Sequence, residues 1–473
     1  MCGIVAYIGK REAAPIILKG LKRLEYRGYD SAGIALLNSD LKIFKKKGKV
    51  TDLEAELVGK DLHGNLGMGH TRWATHGEPN DVNAHPHYSY SKGLAIIHNG
   101  IIENYGALKQ DLIKRGHTFL SQTDSEVMIH FIEDIQQNND CSLEEAVRLA
   151  LSKIVGAYAV VILSKECPGQ LIAAKKGSPL VIGLGEEGEY FLASDATPII
   201  EYTDKVVYMN DQEIAVIKDG KLNIKNIEDV PTTPYIQKLD MELDSIEKSG
   251  YEHFMLKEIM EQPRSIQDCM RGRLNSKDLS LTLGGLRQHL NKLANSERII
   301  IVACGTSWHA GLVAEYLFED LARIPVEVEY ASEFRYRNPI IKEGDVVIAI
   351  SQSGETADTL AAIELAKSKG ALILGVCNVV GSSIARLTDE GAYLHAGPEI
   401  GVASTKAFTG QVTILTMMAI IVGYKKGVIS ENRYRELLLD LEKIPAKVEK
   451  ALKANDQIKY ISELFKDARN FLY

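Results

Sequence analysis

The residues with chemical reach fall in a few short blocks, and the first stands at the start of the chain. Cys2 follows Met1 directly. Removal of Met1, which a small second residue permits, leaves a thiol and a free α-amine on one residue. Such an amine has a pKa of about 7.7 to 8.0, so part of it is neutral at cellular pH and able to take a proton. A thiol that attacks an amide needs a base of this kind within reach. Taken alone, Cys2 reads more readily as a small buried apolar residue, the usual fate of cysteine.

Three further blocks shift that balance: Gly69-His70-Thr71-Arg72-Trp73-Ala74-Thr75-His76-Gly77, His98-Asn99-Gly100 and Ser121-Gln122-Thr123-Asp124-Ser125. An amide substrate with an amino-acid head asks for a guanidinium on its carboxylate, a carboxylate on its ammonium and N–H donors at its oxyanion. Arg72, Asp124 and the pair Asn99-Gly100 are of those types. Each also has a plainer use. Trp73 suits a core, and His76 suits a loop backbone group. Asp124 precedes an apolar helical stretch and suits an N-cap, with Glu126 close behind. His85-Pro86-His87 has metal-binding side chains, but no acidic or sulfur ligands accompany it, which weighs against a metal.

A second set of blocks follows later. Cys304-Gly305-Thr306-Ser307 and Ser351-Gln352-Ser353-Gly354-Glu355-Thr356 each follow an apolar run and open a helical segment. Hydroxyls and backbone N–H groups at helix N-termini make a cradle for phosphate. One such block is ordinary capping, whereas two in one sheet point to a ligand at its carboxyl edge. Dense Ser and Thr without lysine suit a sugar phosphate better than a nucleoside triphosphate. Neither GxxxxGK[ST] nor a strand-following GxGxxG is present.

The elements that must position these blocks differ in texture. Up to about residue 220 the chain shows short strand-like runs, such as Ala32 to Leu37, Ala157 to Leu163, Leu171 to Ala174 and Glu213 to Ile217. Helical periodicity covers Ala13 to Leu24 and Ser125 to Ile135. Clustered strands predict an α+β domain with packed antiparallel sheets. A polar stretch with Pro231 and Pro234 predicts a linker at 223–244. Beyond Ser296, apolar runs at Ile299 to Ala303, Val346 to Ile350, Ala371 to Val376 and Ala392 to His395 alternate with helices, which predicts a parallel, doubly wound α/β sheet. Ile414 to Gly423 is too short to span a bilayer and reads as a buried helix.

Composition sets the outer bounds. The 473 residues exceed one ordinary core and imply at least two domains. With 55 Lys plus Arg against 63 Asp plus Glu, the net charge of -8 disfavours nucleic acid as the main partner. Six scattered cysteines form no disulfide or zinc spacing, and no signal peptide opens the chain, so a reducing cytoplasm is the expected compartment.

The start Cys2-Gly3-Ile4, the run Arg27-Gly28-Tyr29-Asp30-Ser31 and the early blocks together resemble the class II glutamine amidotransferases. That resemblance implies an N-terminal-nucleophile fold, an αββα sandwich, in which Cys2 attacks the glutamine amide and releases ammonia. It implies Asn99 and Gly100 as the oxyanion hole, and Arg72, Thr75, His76 and Asp124 as the glutamine holders. Trp73 matches an indole that gates an ammonia passage, and Arg27 matches a residue near the mouth of the site.

The later blocks, with Glu399-Ile400-Gly401-Val402-Ala403-Ser404-Thr405-Lys406, resemble a sugar isomerase (SIS) domain. They imply Thr306, Ser307, Ser351, Gln352, Ser353 and Thr356 around a phosphate, with Val402 and Ser404 at the sugar. The combination resembles the glucosamine-6-phosphate synthases, which make glucosamine 6-phosphate and glutamate from fructose 6-phosphate and glutamine. It implies no metal, no organic cofactor and a homodimer. The implied domains are a glutaminase at 1–222, a linker at 223–244, a first SIS domain at 245–440 and, at 441–473, the incomplete start of a second, with a strand at Asn470 to Tyr473. In that family the acid, base and imine-forming residues of the sugar step lie beyond this point. The expectation is therefore divided between a synthase, a glutaminase joined to a sugar-phosphate-binding module, and a non-catalytic SIS-type binder.

Overall fold

The structure of the protein, a computed structural model, describes residues 2–74, 77–239, 247–275 and 278–470, and of Arg27 only the backbone. Thr75, His76, the Arg27 side chain and the strand expected to run through Phe471 to Tyr473 therefore lie outside the described residues. The chain divides into two compact units, Met1–Leu243 and Asp244–Tyr473.

The first unit is built on two antiparallel sheets. One has eight strands and places Gly3–Ile8 between Leu66–Arg72 and Tyr190–Ala193. The other has seven and runs through Leu94–Ile102, Gly156–Ser164, Gln170–Lys176 and Glu213–Lys218. Strand side chains alternate between faces, so a strand covered on both faces must be apolar throughout. In Ile4-Val5-Ala6-Tyr7, Ile4 and Ala6 enter a core shared with Ala95, Ile97, Ala159 and Val161 of the other sheet. Val5 and Tyr7 enter a separate core with Ile17, Leu21 and Leu24 of the Ala13–Leu24 helix. Across the other sheet, Leu94 and Ile96 pack against Val127, Met128 and Ile132 of the Asp124–Asn139 helix. Helices thus cover the outer faces of two facing sheets, which gives the four layers αββα.

Residues 223–239, read as linker, carry edge strands instead of a plain coil. Lys221–Asn226 pairs with Glu213–Lys218, and Ile236–Lys238 pairs with Lys205–Tyr208. Pro231–Thr232, paired with Lys221–Asn226, and Ile236–Lys238 are the outermost strands of their sheets, where one backbone row meets water.

The second unit is a five-stranded parallel sheet. Its spatial order is Val326–Tyr330, Ile299–Ala303, Val346–Ser351, Leu372–Cys377 and Glu390–Tyr393. Crossover helices cover it, among them Thr306–Ala322 and Ala357–Ser368. Lys406–Lys425 has the length and mean hydropathy, 1.6, of a membrane span, yet 67% of that stretch is buried inside the unit. Its Ile414, Leu415, Met418 and Ala419 belong to the same core as Ile299 and Ile301. Ile444–Leu452 and Asn455–Phe465, in the region expected to begin a further domain, are helices with no buried residue.

Candidate active site

Cys2 is placed by the strand that begins at Gly3. Pairing of Gly3 with Thr71 brings Cys2 beside the end of Leu66–Arg72. A side chain at position 3 would meet Thr71 Oγ1 at 2.6 Å and Leu24 Cβ at 2.7 Å, so only glycine lets the two strands close here. The Trp73 backbone then brackets the thiol. Its N–H donates to Cys2 Sγ at 3.2 Å, and Sγ–H donates to its carbonyl at 3.5 Å. Burial pushes the Cys2 thiol above its ordinary pKa, while the Trp73 hydrogen bond and the Arg72 charge pull the other way. A thiol held protonated in this way reacts only when a base takes its proton.

Asn99 and Gly100 reach the same place from the other sheet. The Asn99 amide nitrogen donates to the Cys2 carbonyl at 2.9 Å. Gly100 has φ +138, and a Cβ there would lie 2.0 Å from the Ala157 carbonyl oxygen. No other residue adopts that backbone without moving the neighbouring strand. The ends of two facing sheets thus meet at Cys2.

Arg72, 3% exposed, donates to the Gly77 carbonyl at 3.2 Å and lies in the electrostatic field of Cys2, Asp30 and Asp124. Asp124 is not the N-cap. Thr123 caps the helix by accepting from the Glu126 N–H, which leaves Asp124 as its first residue. One Asp124 oxygen accepts the Ile102 N–H at 2.8 Å, and the other has Ser125 Oγ at 3.5 Å. The structure therefore gathers Cys2, Asn99, Arg72 and Asp124 around one sheet end. Trp73 is 43% exposed and touches Tyr29 edge-on, with ring centroids 5.4 Å apart. His85 and His87 spend their Nε2 atoms on hydroxyls, at 2.8 Å from Ser125 Oγ and 3.1 Å from Thr123 Oγ1.

In the second unit the parallel pairing of Ala303 with Ile350 sets both hydroxyl-rich loops at one carboxyl edge. Ser351 Oγ lies 2.9 Å from Thr356 Oγ1 and accepts the Gly354 N–H at 3.0 Å. Ser353 Oγ accepts the Glu355 N–H at 3.1 Å. These bonds tie the loop to itself. Thr306 opens the other helix and is exposed, whereas Ser307 is buried and accepts from Gln411 Nε2 at 2.9 Å. Gln352 is half-buried, and its carbonyl accepts the Asn378 N–H.

Val402 and Ser404 ride on a loop that two buried carboxylates hold. Glu258 takes the N–H groups of Ile400 and Gly401. Glu399 takes those of Thr405 and Ala407 together with the Ser404 hydroxyl. Lys406 Nζ, almost fully buried, pairs with Glu261 at 2.6 Å. Val402 is 74% exposed at the loop's tip. Glu258, Glu261 and Asn378 are absent from the sequence reading. For Glu258 and Glu261 the available signal was a Glu pair at helical spacing in an otherwise apolar-faced helix, which reads equally as a solvated face.

Comparison with known proteins decides the lineage. A glutamine amidotransferase domain matches residues 57–239, and a SIS domain matches residues 292–421. A glutamine–fructose-6-phosphate aminotransferase (isomerizing) of Bacteroides thetaiotaomicron is 59% identical over 476 residues, covering 100% of this chain and 77% of the relative. The chain belongs to this family. Relatives of the same description from Chlorobaculum tepidum and Caldanaerobacter subterraneus are 56% and 49% identical, over 77% and 76% of their own lengths. Fold and family therefore agree with the resemblance drawn from the motifs: an N-terminal-nucleophile glutaminase sandwich and a doubly wound SIS sheet.

Proposed function

We propose that this chain works as a glutamine-dependent aminotransferase, making glucosamine 6-phosphate and glutamate from fructose 6-phosphate and glutamine, with Cys2 as its glutaminase nucleophile. The observation that carries the assignment is the convergence on Cys2 of an amide donor from the facing sheet, Asn99, at 2.9 Å from the Cys2 carbonyl. With Met1 removed, the Cys2 α-amine takes the thiol proton as Sγ bonds to the glutamine amide carbon. The oxygen that gains charge is met by Asn99 Nδ2 and the Gly100 N–H. The protonated amine then returns its proton to the leaving nitrogen, ammonia departs, and water hydrolyses the thioester to glutamate and free thiol.

Arg72 holds the glutamine carboxylate and Asp124 its ammonium, with Thr75 and His76 completing that end. Trp73 guards the path by which ammonia leaves, and Arg27 stands near the mouth. In the second unit Thr306, Ser307, Ser351, Gln352, Ser353 and Thr356 hold the sugar phosphate, and Val402 and Ser404 meet the sugar. The domain division 1–222, 223–244, 245–440 and 441–473, a homodimer and a cytoplasmic setting complete the proposal.

Asp124→Asn is the test of the binding half. The charge-assisted bond to the substrate ammonium is lost while the amide keeps the Ile102 contact. KM for glutamine is expected to rise about tenfold or more, the equivalent of 1.4 kcal/mol or above, with kcat changing less. Steady-state glutamate release measures both, and a KM within twofold of the parent would remove Asp124 from the site.

A further inference from the structure

We propose that His70 is the positioning residue that fixes which way the Asn99 amide faces, so that its NH2 group is presented to the substrate oxygen. The inference rests on the reading of Cys2 and Asn99 given above. Asn99 touches the Cys2 carbonyl oxygen at 2.9 Å, and a carbonyl can only accept, so the amide nitrogen must be the atom there. The amide oxygen then faces His70 Nε2 at 2.9 Å. The His98 carbonyl lies 3.1 Å from the same ring nitrogen and also can only accept. Two acceptors on one nitrogen require that Nε2 carry the proton. Nδ1 is then a bare lone pair, and it is buried with no hydrogen-bond partner among the described residues.

Reversing the Asn99 amide would set its NH2 against the His70 N–H and its oxygen against the Cys2 carbonyl. Both contacts would be repulsive, so a single orientation survives. The ring that enforces it is itself fixed. His70 is 1% exposed and lies against His85 with centroids 4.2 Å apart. His85 Nε2 and His98 Nδ1 both bond Ser125 Oγ at 2.8 Å, and Ser125 adjoins Asp124. Burial drives His70 down to about 3, so Nδ1 gains no proton near neutral pH and the donor stays at Nε2. The oxyanion donor and the carboxylate assigned to the substrate ammonium thus share one buried histidine layer.

Two substitutions separate positioning from packing. His70→Gln can place an amide N–H where Nε2–H stands, whereas His70→Met fills similar space with no donor. Loss of a whole oxyanion donor costs roughly 10²- to 10³-fold in kcat. His70→Met is expected to lower kcat for glutamine hydrolysis about 10- to 100-fold with KM little changed, and His70→Gln to restore it to within a few-fold. In an Asn99→Ala background, His70→Met should add little, because both changes remove the same interaction. Nitrogen-15 NMR of the parent protein, which needs no substitution to fold, should show His70 as the neutral Nε2–H tautomer. Equal loss in the Gln and Met variants, full additivity with Asn99→Ala, or an Nδ1–H tautomer would overturn the positioning role. Asn99→Ala alone distinguishes the two levels. An unchanged kcat there sinks the oxyanion reading itself, whereas a large loss there with none in His70→Met sinks only the role of His70.

Discussion

Cys2→Ala is expected to reduce glutamate release from glutamine to the uncatalysed background, a loss on the order of 10⁴-fold or more, as removal of a covalent nucleophile does elsewhere. The fold should survive it. Among the described residues Sγ exchanges hydrogen bonds only with the Trp73 backbone, at a residue 43% exposed. Gly3 and the strand pairing that place residue 2 are untouched. Thermal unfolding within a few degrees of the parent, measured beside glutamate release, would separate a chemical loss from a structural one. Residual hydrolysis near the parent rate would place the nucleophile elsewhere.

The second large effect is a loss of stability in mild acid. His70, His85 and His87 are buried, and burial holds all three below the ordinary histidine range, His70 at about 3. Neighbouring positive charge adds to this. His85 faces His70, His87, His98 and Arg72, and His87 faces Lys45, Arg72, His70 and His130. A group whose folded pKa lies below its unfolded value, about 6.5, is protonated first in the unfolded chain. Its stabilisation is complete above that value and drains away as pH falls through 6.5 toward the folded pKa. Each such histidine contributes a slope of about 1.4 kcal/mol per pH unit below 6.5, and three together about 4 kcal/mol. Against a total stability of about 5 to 15 kcal/mol, that is a large share of what holds the first unit folded. Denaturant midpoints followed from pH 7.5 to 5 should fall steeply below 6.5. A flat profile across that window would mean that the histidines are hydrated or already charged in the native state.

Much of this architecture was legible because local pattern and tertiary role coincide. Ala13 to Leu24 reads as an amphipathic helix and forms one over those same residues. The run Ile299 to Ala303 is continuous because helices bury both faces of a parallel strand, so its apolarity announces its place. Val326–Tyr330 escaped notice: its glutamates alternate with valines at the sheet edge, a weaker signal than a buried run. The polar residues after 222 were read as linker for the same reason, since an edge strand and a coil tolerate the same side chains.

The site residues were legible by type and order, but their partnerships were not. Asn99 meets Cys2 across two sheets and 97 positions, and Glu258 holds a loop 142 positions away. Neither pairing leaves a period in the sequence. His85 reads as a metal-type residue and His70 only as a member of its block until the fold stacks the two rings.

The most direct test of the account is covalent. A glutamine analogue with an electrophilic carbon in place of the amide would be incubated with the protein, and the modified peptide located by mass spectrometry. Cys141, Cys167, Cys269, Cys304 and Cys377 are all free thiols and serve as internal controls. The account predicts one label per chain, on an N-terminal Cys2 freed of Met1, suppressed by excess glutamine and absent in Asn99→Ala at short times. Labelling at any other cysteine, or at Cys2 with no protection by glutamine, would contradict it.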